Sequence, residues 1–220
     1  VASALNMGIR EMTGEYFSWL SHDDVYYPTK IETQVRYLAR ENRDIVLYGD
    51  YDLIDESSNR IGTNRIPSID PLMFRRELMT SYPINGCTAL IPKRCFDSAG
   101  WFDEELKTSQ DYAMWFRMAK RYDFVHIPEV LVQMRIHPRQ GSLNLTDPGE
   151  KNRFYIGCLN ELFEERESSP AGESPALFHA RVAVVMKKRG FLDAADHASR
   201  LSGRAGGTAQ RWLDLRWVAL

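Results

Sequence analysis

The run Gly14-Glu15-Tyr16-Phe17-Ser18-Trp19-Leu20, closed abruptly by Ser21-His22-Asp23-Asp24 and followed by Pro28, constrains the fold more than any other segment. A short apolar stretch bounded by glycine and a polar cluster reads as a buried strand of an α/β sheet. Pro28 then opens a helical pattern in which Ile31, Val35 and Leu38 share one face. Strand, acidic loop and helix in succession put Asp23 and Asp24 just past the carboxyl end of a strand, where open α/β sheets hold their ligands.

The same alternation continues downstream. Residues 44–48 read as a strand and 55–60 as a turn leading to Ile61. Asp70-Pro71 supplies an N-cap and first helical position for 72–79. After Asn85-Gly86, residues 87–91 read as a strand, followed by a short helix to Ser98 that Gly100 stops. Trp115, Met118, Ala119 and Tyr122 recur at helical spacing from a start near Asp111. Two strands, 124–127 and 130–136, flank Pro128. In the second, Gln133, Arg135 and His137 share one face, so Arg135 and His137 leave the sheet together.

Beyond Gly141 only helical patterns remain, at 152–165, 176–189 and 192–201, with a linker at 168–175, a break at Gly190 and a second linker at 202–208. The last stretch carries Trp212, Leu213, Leu215, Trp217 and Val218 on an apolar stripe whose default use is docking on a core. The expected organisation is an α/β domain over 1–142 and an all-helical extension over 143–220.

Composition removes several function classes. The chain has 220 residues, 44% hydrophobic and 26% charged, the composition of a folded globular protein. Lys+Arg 28 against Asp+Glu 30 leaves a net charge of -2, so no basic field gathers nucleic acid. No stretch reaches the ~18 apolar residues of a membrane span, and the first residues lack a signal-peptide pattern. Cys87, Cys95 and Cys158 are odd in number and form no C-x-x-C pair, which fits buried thiols in a reducing cytosol rather than disulfides or zinc. The expected location is the cytoplasm, with a peripheral position at the inner membrane face left open.

Paired carboxylates at a strand end suit a hard cation, Mg²⁺ or Mn²⁺, that completes its shell with water and phosphate oxygens. On spacing alone, Asp23-Asp24 equally suits a helix cap or a solvated loop. Asp111 reads either as an N-cap residue or as a general base that takes a proton from a hydroxyl nucleophile. Arg135 and His137 together suit phosphate oxygens or a metal. Trp101, Phe102 and Trp115 offer faces for a sugar or lipid acceptor, with core packing the stronger account of Trp115.

The order of these features resembles the family 2 inverting glycosyltransferases of GT-A fold. Asn6-Met7-Gly8, Gly14-Glu15-Tyr16 and Ser21-His22-Asp23-Asp24 are similar to that family's Asn-x-Gly, Gly-Glu-Tyr and Asp-x-Asp stretch, and Pro28, Lys30-Ile31-Glu32 and Gln34 continue it. Gly86-Cys87-Thr88 with Gly100-Trp101-Phe102-Asp103-Glu104 resembles the acceptor-side segment. Gln110-Asp111-Tyr112-Ala113-Met114-Trp115-Phe116-Arg117 resembles the base motif, and Ile127-Pro128-Glu129-Val130-Leu131 with Arg135 and His137 the closing strands.

The resemblance implies a mixed sheet flanked by helices, with the family's opening nucleotide-binding segment expected before residue 1 and a sheet edge left open to homo-oligomer formation. It implies that Asp23, Asp24 and His137 take a Mn²⁺ or Mg²⁺ ion and that Asp111 is the base. Gly86, Trp101, Asp103, Glu104, Gln110, Trp115 and Arg135 would contact substrate. Ser21 stands where the family commonly has the first Asp of Asp-x-Asp, so the metal rests on the later carboxylates. The implied reaction moves a sugar with inversion from a nucleoside diphosphate donor, a UDP-sugar first, to a hydroxyl of a glycan or lipid-linked acceptor, in polysaccharide or cell-envelope biosynthesis. A non-catalytic GT-A-like binding module and a metal-dependent phosphoesterase or nucleotidyltransferase are the alternatives.

Overall fold

The computed structural model describes residues 1–141, 147–165 and 173–206. Two compact units result, Val1–Thr146 and Asp147–Leu220. In chain order the first contains α1 (Ala2–Glu11), β1 (Tyr16–Phe17), β2 (Val25–Tyr26), α2 (Lys30–Leu38), β3 (Ile45–Ile54), β4 (Arg60–Asn64), α3 (Phe74–Thr80), β5 (Ile91–Pro92), α4 (Arg94–Ala99), α5 (Gln110–Met118) and β6 (Asp123–Arg135).

A four-stranded sheet runs in the order β2-β6-β3-β4, and β1 pairs with β5 in a separate two-stranded ladder. The β3–β6 pair is parallel and the others are antiparallel, so the sheet is mixed. Ile45, Val46, Leu47 and Tyr48 of β3 are all buried, the continuous apolar run of a strand covered on both faces. Leu38, Ile45, Leu47, Leu90 and Ile127 form one cluster of this core.

The two strands expected on either side of Pro128 are one strand. Its register with β3 runs from Ile45↔Asp123 to Gly49↔Ile127 and resumes at Asp50↔Val130. Pro128 and Glu129 are absorbed as a bulge, which removes the need for a proline N–H in the ladder. Gly49 allows this, because a Cβ there would meet Glu129 O at 3.0 Å and Ile127 O at 3.2 Å.

Three further expectations change. The first strand shrinks to Tyr16–Phe17, since residues 18–20 leave the ladder to begin the acidic turn. Residues 87–91 are mostly not a strand: Gly86–Thr88 is a 3-10 turn capped by the Asn85 side chain, Leu90 makes an isolated bridge to Leu47, and Ile91–Pro92 forms β5. On α2 the buried positions are Lys30, Gln34 and Leu38, while Ile31 is 43% exposed.

The second unit is helical over its described residues: α6 (Pro148–Glu164), α7 (Pro175–Lys188) and α8 (Leu192–Arg204). Asp147 and Ser174 cap α6 and α7 through their side chains, each followed by proline in the first turn. Gly190 turns the chain between α7 and α8 with φ +80. Tyr155, Leu159, Phe178, Val182, Met186 and Leu201 are buried there. The expected linker from 202 is helical as far as Arg204. Most of the 168–175 linker and the stripe from Trp212 to Val218 lie outside the described residues. No described helix is long and apolar enough to cross a membrane.

Candidate active site

The acidic turn leaves β1 at Ser18 and re-enters the sheet at β2. At its tip, Asp23 Oδ2 lies 3.0 Å from His137 Nε2, across 114 residues of chain. Both side chains are largely buried. Burial opposes ionisation of Asp23, but the His137 hydrogen bond, a backbone amide and the neighbouring His22 outweigh it and hold the carboxyl below its ordinary value. The other ring nitrogen of His137, Nδ1, is buried without a hydrogen-bond partner among the described residues, while its backbone N–H donates to Gln140 Oε1.

Asp24 is not part of that pair. Its Oδ1 accepts the Arg135 backbone N–H at 3.0 Å. Burial raises the Asp24 carboxyl above its ordinary value, against hydrogen bonds from the Arg135 amide and the Cys87 side chain. The Arg135 guanidinium donates to Asp23 O at 3.0 Å, to Asp55 O at 2.7 Å and to Ser58 Oγ at 3.0 Å. Arg135, whose position suits phosphate oxygens or a metal and which the resemblance places against substrate, here ties the acidic turn to the β3–β4 hairpin.

Among the described residues, no group of three or more His, Cys, Asp or Glu is gathered as a metal cage. The Asp23–His137 spacing nevertheless fits two neighbouring ligands of one octahedral cation, which at ~2.1 Å from the metal would stand ~3.0 Å apart. The chemistry fits as well: a carboxylate and an imidazole leave the other positions to water and phosphate oxygens.

Asp111 is the second residue of α5 and is half-buried, its Oδ1 accepting from the Tyr112 N–H at 2.8 Å. Ser109 and Gln110 beside it are buried, and Ser109 Oγ and Gln110 Oε1 have no hydrogen-bond partner among the described residues. Trp115 is 0% exposed, stacked on Trp19 and edge-on to Phe102 and Phe124. It is a core residue in this structure, with no face left for substrate. Gly86 is buried against Trp19, where a Cβ would lie 2.5 Å from the ring. The absence of a side chain serves that contact.

Trp101 is 41% exposed, with the Arg10 guanidinium 5.3 Å from its ring centroid. Asp103 Oδ1 accepts the Glu105 N–H, and Glu104 Oε1 accepts from Asn6 Nδ2 at 2.9 Å. Asn6 also exchanges both of its amide bonds with the Phe102 backbone, so the Asn-x-Gly segment anchors the loop before α5. Two residues assigned no site role from sequence contact the turn's base: Trp19, half-buried, whose carbonyl accepts from Tyr26, and Lys30, fully buried, whose ammonium donates to Ser18 Oγ. Helical periodicity could have flagged Lys30, because it shares a face with Gln34 and Leu38.

A cavity of about 410 Å³ opens beside the loop after β4, lined among others by Ile66, Asp70, Met73, Glu77 and Tyr82. It contains none of the expected site residues. Its wall residue Tyr82 stands edge-on to Tyr112, next to Asp111, with ring centroids 5.5 Å apart.

A mixed sheet flanked by helices, with an acidic turn facing a histidine just past the end of β6 and a carboxylate at a helix start, is an α/β scaffold of GT-A type. The family model for glycosyl transferase family 2 matches residues 1–97. An uncharacterised glycosyltransferase of Rickettsia felis is 41% identical over 192 residues, covering 84% of this chain and 31% of that protein. One from Rickettsia prowazekii is 38% identical over 195 residues, covering 86% of this chain and 61% of its own. The chain thus spans between a third and three fifths of these relatives' length. A mannosyltransferase from Pyrobaculum calidifontis, solved with GDP-Man and Mn²⁺, aligns with TM-score 0.50 at 16% identity over 97% of this chain and 57% of its own, a likeness of fold. The chain is thus similar to glycosyl transferase family 2 over residues 1–97 and shares the GT-A fold.

Proposed function

We propose that this chain transfers a sugar from a nucleoside diphosphate donor to an acceptor hydroxyl with inversion, Asp111 acting as base and Asp23 with His137 facing the donor diphosphate. The pairing of Asp23 with His137 at 3.0 Å carries the reading, because it joins the acidic turn to the closing strand as a two-ligand edge. Mn²⁺ or Mg²⁺, when bound there, supplies positive charge that neutralises the departing diphosphate. The chain's own residues do the rest. Arg135 and Asp24 hold the turn in place. Asp111 takes the proton of the acceptor hydroxyl as its oxygen attacks the anomeric carbon from the side opposite the leaving group. One in-line displacement inverts the anomeric centre and needs no covalent intermediate. The cavity beside Tyr82 and Tyr112 is the approach assigned to the acceptor, a glycan or lipid-linked sugar.

Calorimetric titration with UDP, GDP and dTDP, with and without Mn²⁺, tests the donor side. Binding of at least one diphosphate is expected to depend on the metal and to weaken about tenfold or more in Asp23→Asn, a loss of about 1.4 kcal/mol. Equal binding without metal, or an unaffected Asp23→Asn variant, contradicts the assignment.

A further inference from the structure

Lys30 is 0% exposed, yet no carboxylate pairs with it among the described residues. Its ammonium donates to Gln34 Oε1 at 2.7 Å, to Ser18 Oγ at 2.9 Å and to Ala89 O at 3.3 Å. Three N–H groups meet three acceptors, which uses the full donor capacity of an ammonium. The same group sits 4.4 Å from the centroid of the Tyr26 ring, a cation–π contact that is strengthened by desolvation. No donor is left over for substrate, and the buried amine has no route to act as a nucleophile.

The partners of Lys30 matter because of where they lie in the chain. Ser18 opens the acidic turn, just past β1, and Tyr26 belongs to the strand after it. Tyr26 Oη contacts Ser18 Oγ at 2.9 Å and donates to Trp19 O at 2.5 Å, closing the turn at its base. Lys30 fastens that closure to α2 and to the segment before β5, and Gln34 Nε2 extends it to Thr88 O at 2.8 Å. Asp23 and Asp24 ride on the loop thus closed. A buried ammonium without a counter-ion is expensive, and an apolar side chain of equal length would fill the same space at no ionic cost.

We propose that Lys30 is a positioning residue for the acidic turn: through Ser18, Tyr26 and Ala89 its ammonium fixes the loop that delivers Asp23 to His137. The consequence for ligand binding rests on the reading of Asp23 given above, whereas the consequence for the loop does not.

Amide hydrogen exchange on the whole chain at pH 6, where the ammonium is charged, together with electron paramagnetic resonance titration of Mn²⁺ in the presence of UDP, separates the two. Lys30→Met and Tyr26→Phe are each expected to speed exchange of the amides of residues 19–26 about tenfold while those of α5 keep their protection. Both should weaken Mn²⁺·UDP binding about tenfold without lowering the unfolding midpoint in proportion. Tyr26→Phe removes only a hydroxyl and keeps the test decisive if Lys30→Met fails to fold. Unchanged exchange in the turn overturns the proposal. Faster exchange with unaltered Mn²⁺·UDP affinity overturns the positioning role and leaves Lys30 a purely structural residue. If the wild-type chain binds no Mn²⁺·UDP, the functional reading fails, and the exchange result alone decides whether Lys30 holds the turn.

Discussion

At the scale of single residues, the site is built from side chains that occupy one another. Gly86 illustrates the steric side. A Cβ placed 2.5 Å from the Trp19 ring must displace that ring, which stacks on Trp115, so Gly86→Ala is expected to cost ~1–3 kcal/mol in chemical denaturation. A variant as stable as wild type would show that Trp19 moves freely. Lys30 illustrates the electrostatic side. Burial pushes it from its ordinary value of 10.5 to about 7. Between those values the unfolded chain holds a proton that the folded chain has released, so stability rises with pH from about 7 to about 10. Lys30→Met is predicted to flatten that rise in denaturation curves recorded across the range, and an equally steep rise in the variant would place its origin elsewhere. The sequence pattern showed Lys30 and Gln34 as polar residues on a helix whose apolar members were Ile31, Val35 and Leu38. Hydrophobicity alone cannot reveal that two polar groups are buried because they bond each other and the Thr88 and Ala89 carbonyls at the end of a 3-10 turn.

At the scale of elements, chain order and stop signals were legible where the cause is local. Pro71, Gly100 and Gly190 act through their own backbone, and each marks an element boundary in the structure. The expected strand stops at Arg135, one residue earlier than the alternation suggests, yet Arg135 and His137 both reach Asp23. The juxtaposition of His137 with Asp23 was legible only through the family resemblance, since nothing local connects residues 114 positions apart. The bulge at Pro128 was not legible, since it depends on Gly49 in the neighbouring strand. Arg117 of α5 supplies a further test at this scale. Its guanidinium donates to Ala99 O and Trp101 O, holding the loop that precedes the candidate base. Arg117→Met leaves both carbonyls without that donor and is expected to lower stability by ~1–3 kcal/mol. A change below ~0.5 kcal/mol in urea unfolding would mean that water replaces the guanidinium at no cost.

At the scale of the whole molecule, the fold follows from one mixed sheet whose central strands β3 and β6 are parallel, β3 being buried along most of its length, with the acidic turn, His137 just past β6 and the start of α5 attached to it. The second unit repeats a simpler logic of capped helices around Tyr155, Phe178 and Met186. The central claim is that Asp111 is the base of a single inverting displacement. It is tested most directly by comparing wild type with Asp111→Asn in a donor panel assay run with Mn²⁺, with the configuration of the new glycosidic bond read by proton NMR. Wild type is expected to give an inverted product, and Asp111→Asn a turnover reduced by ~10²-fold or more with donor binding retained. Unchanged turnover in the variant, or a product of retained configuration, would contradict the claim.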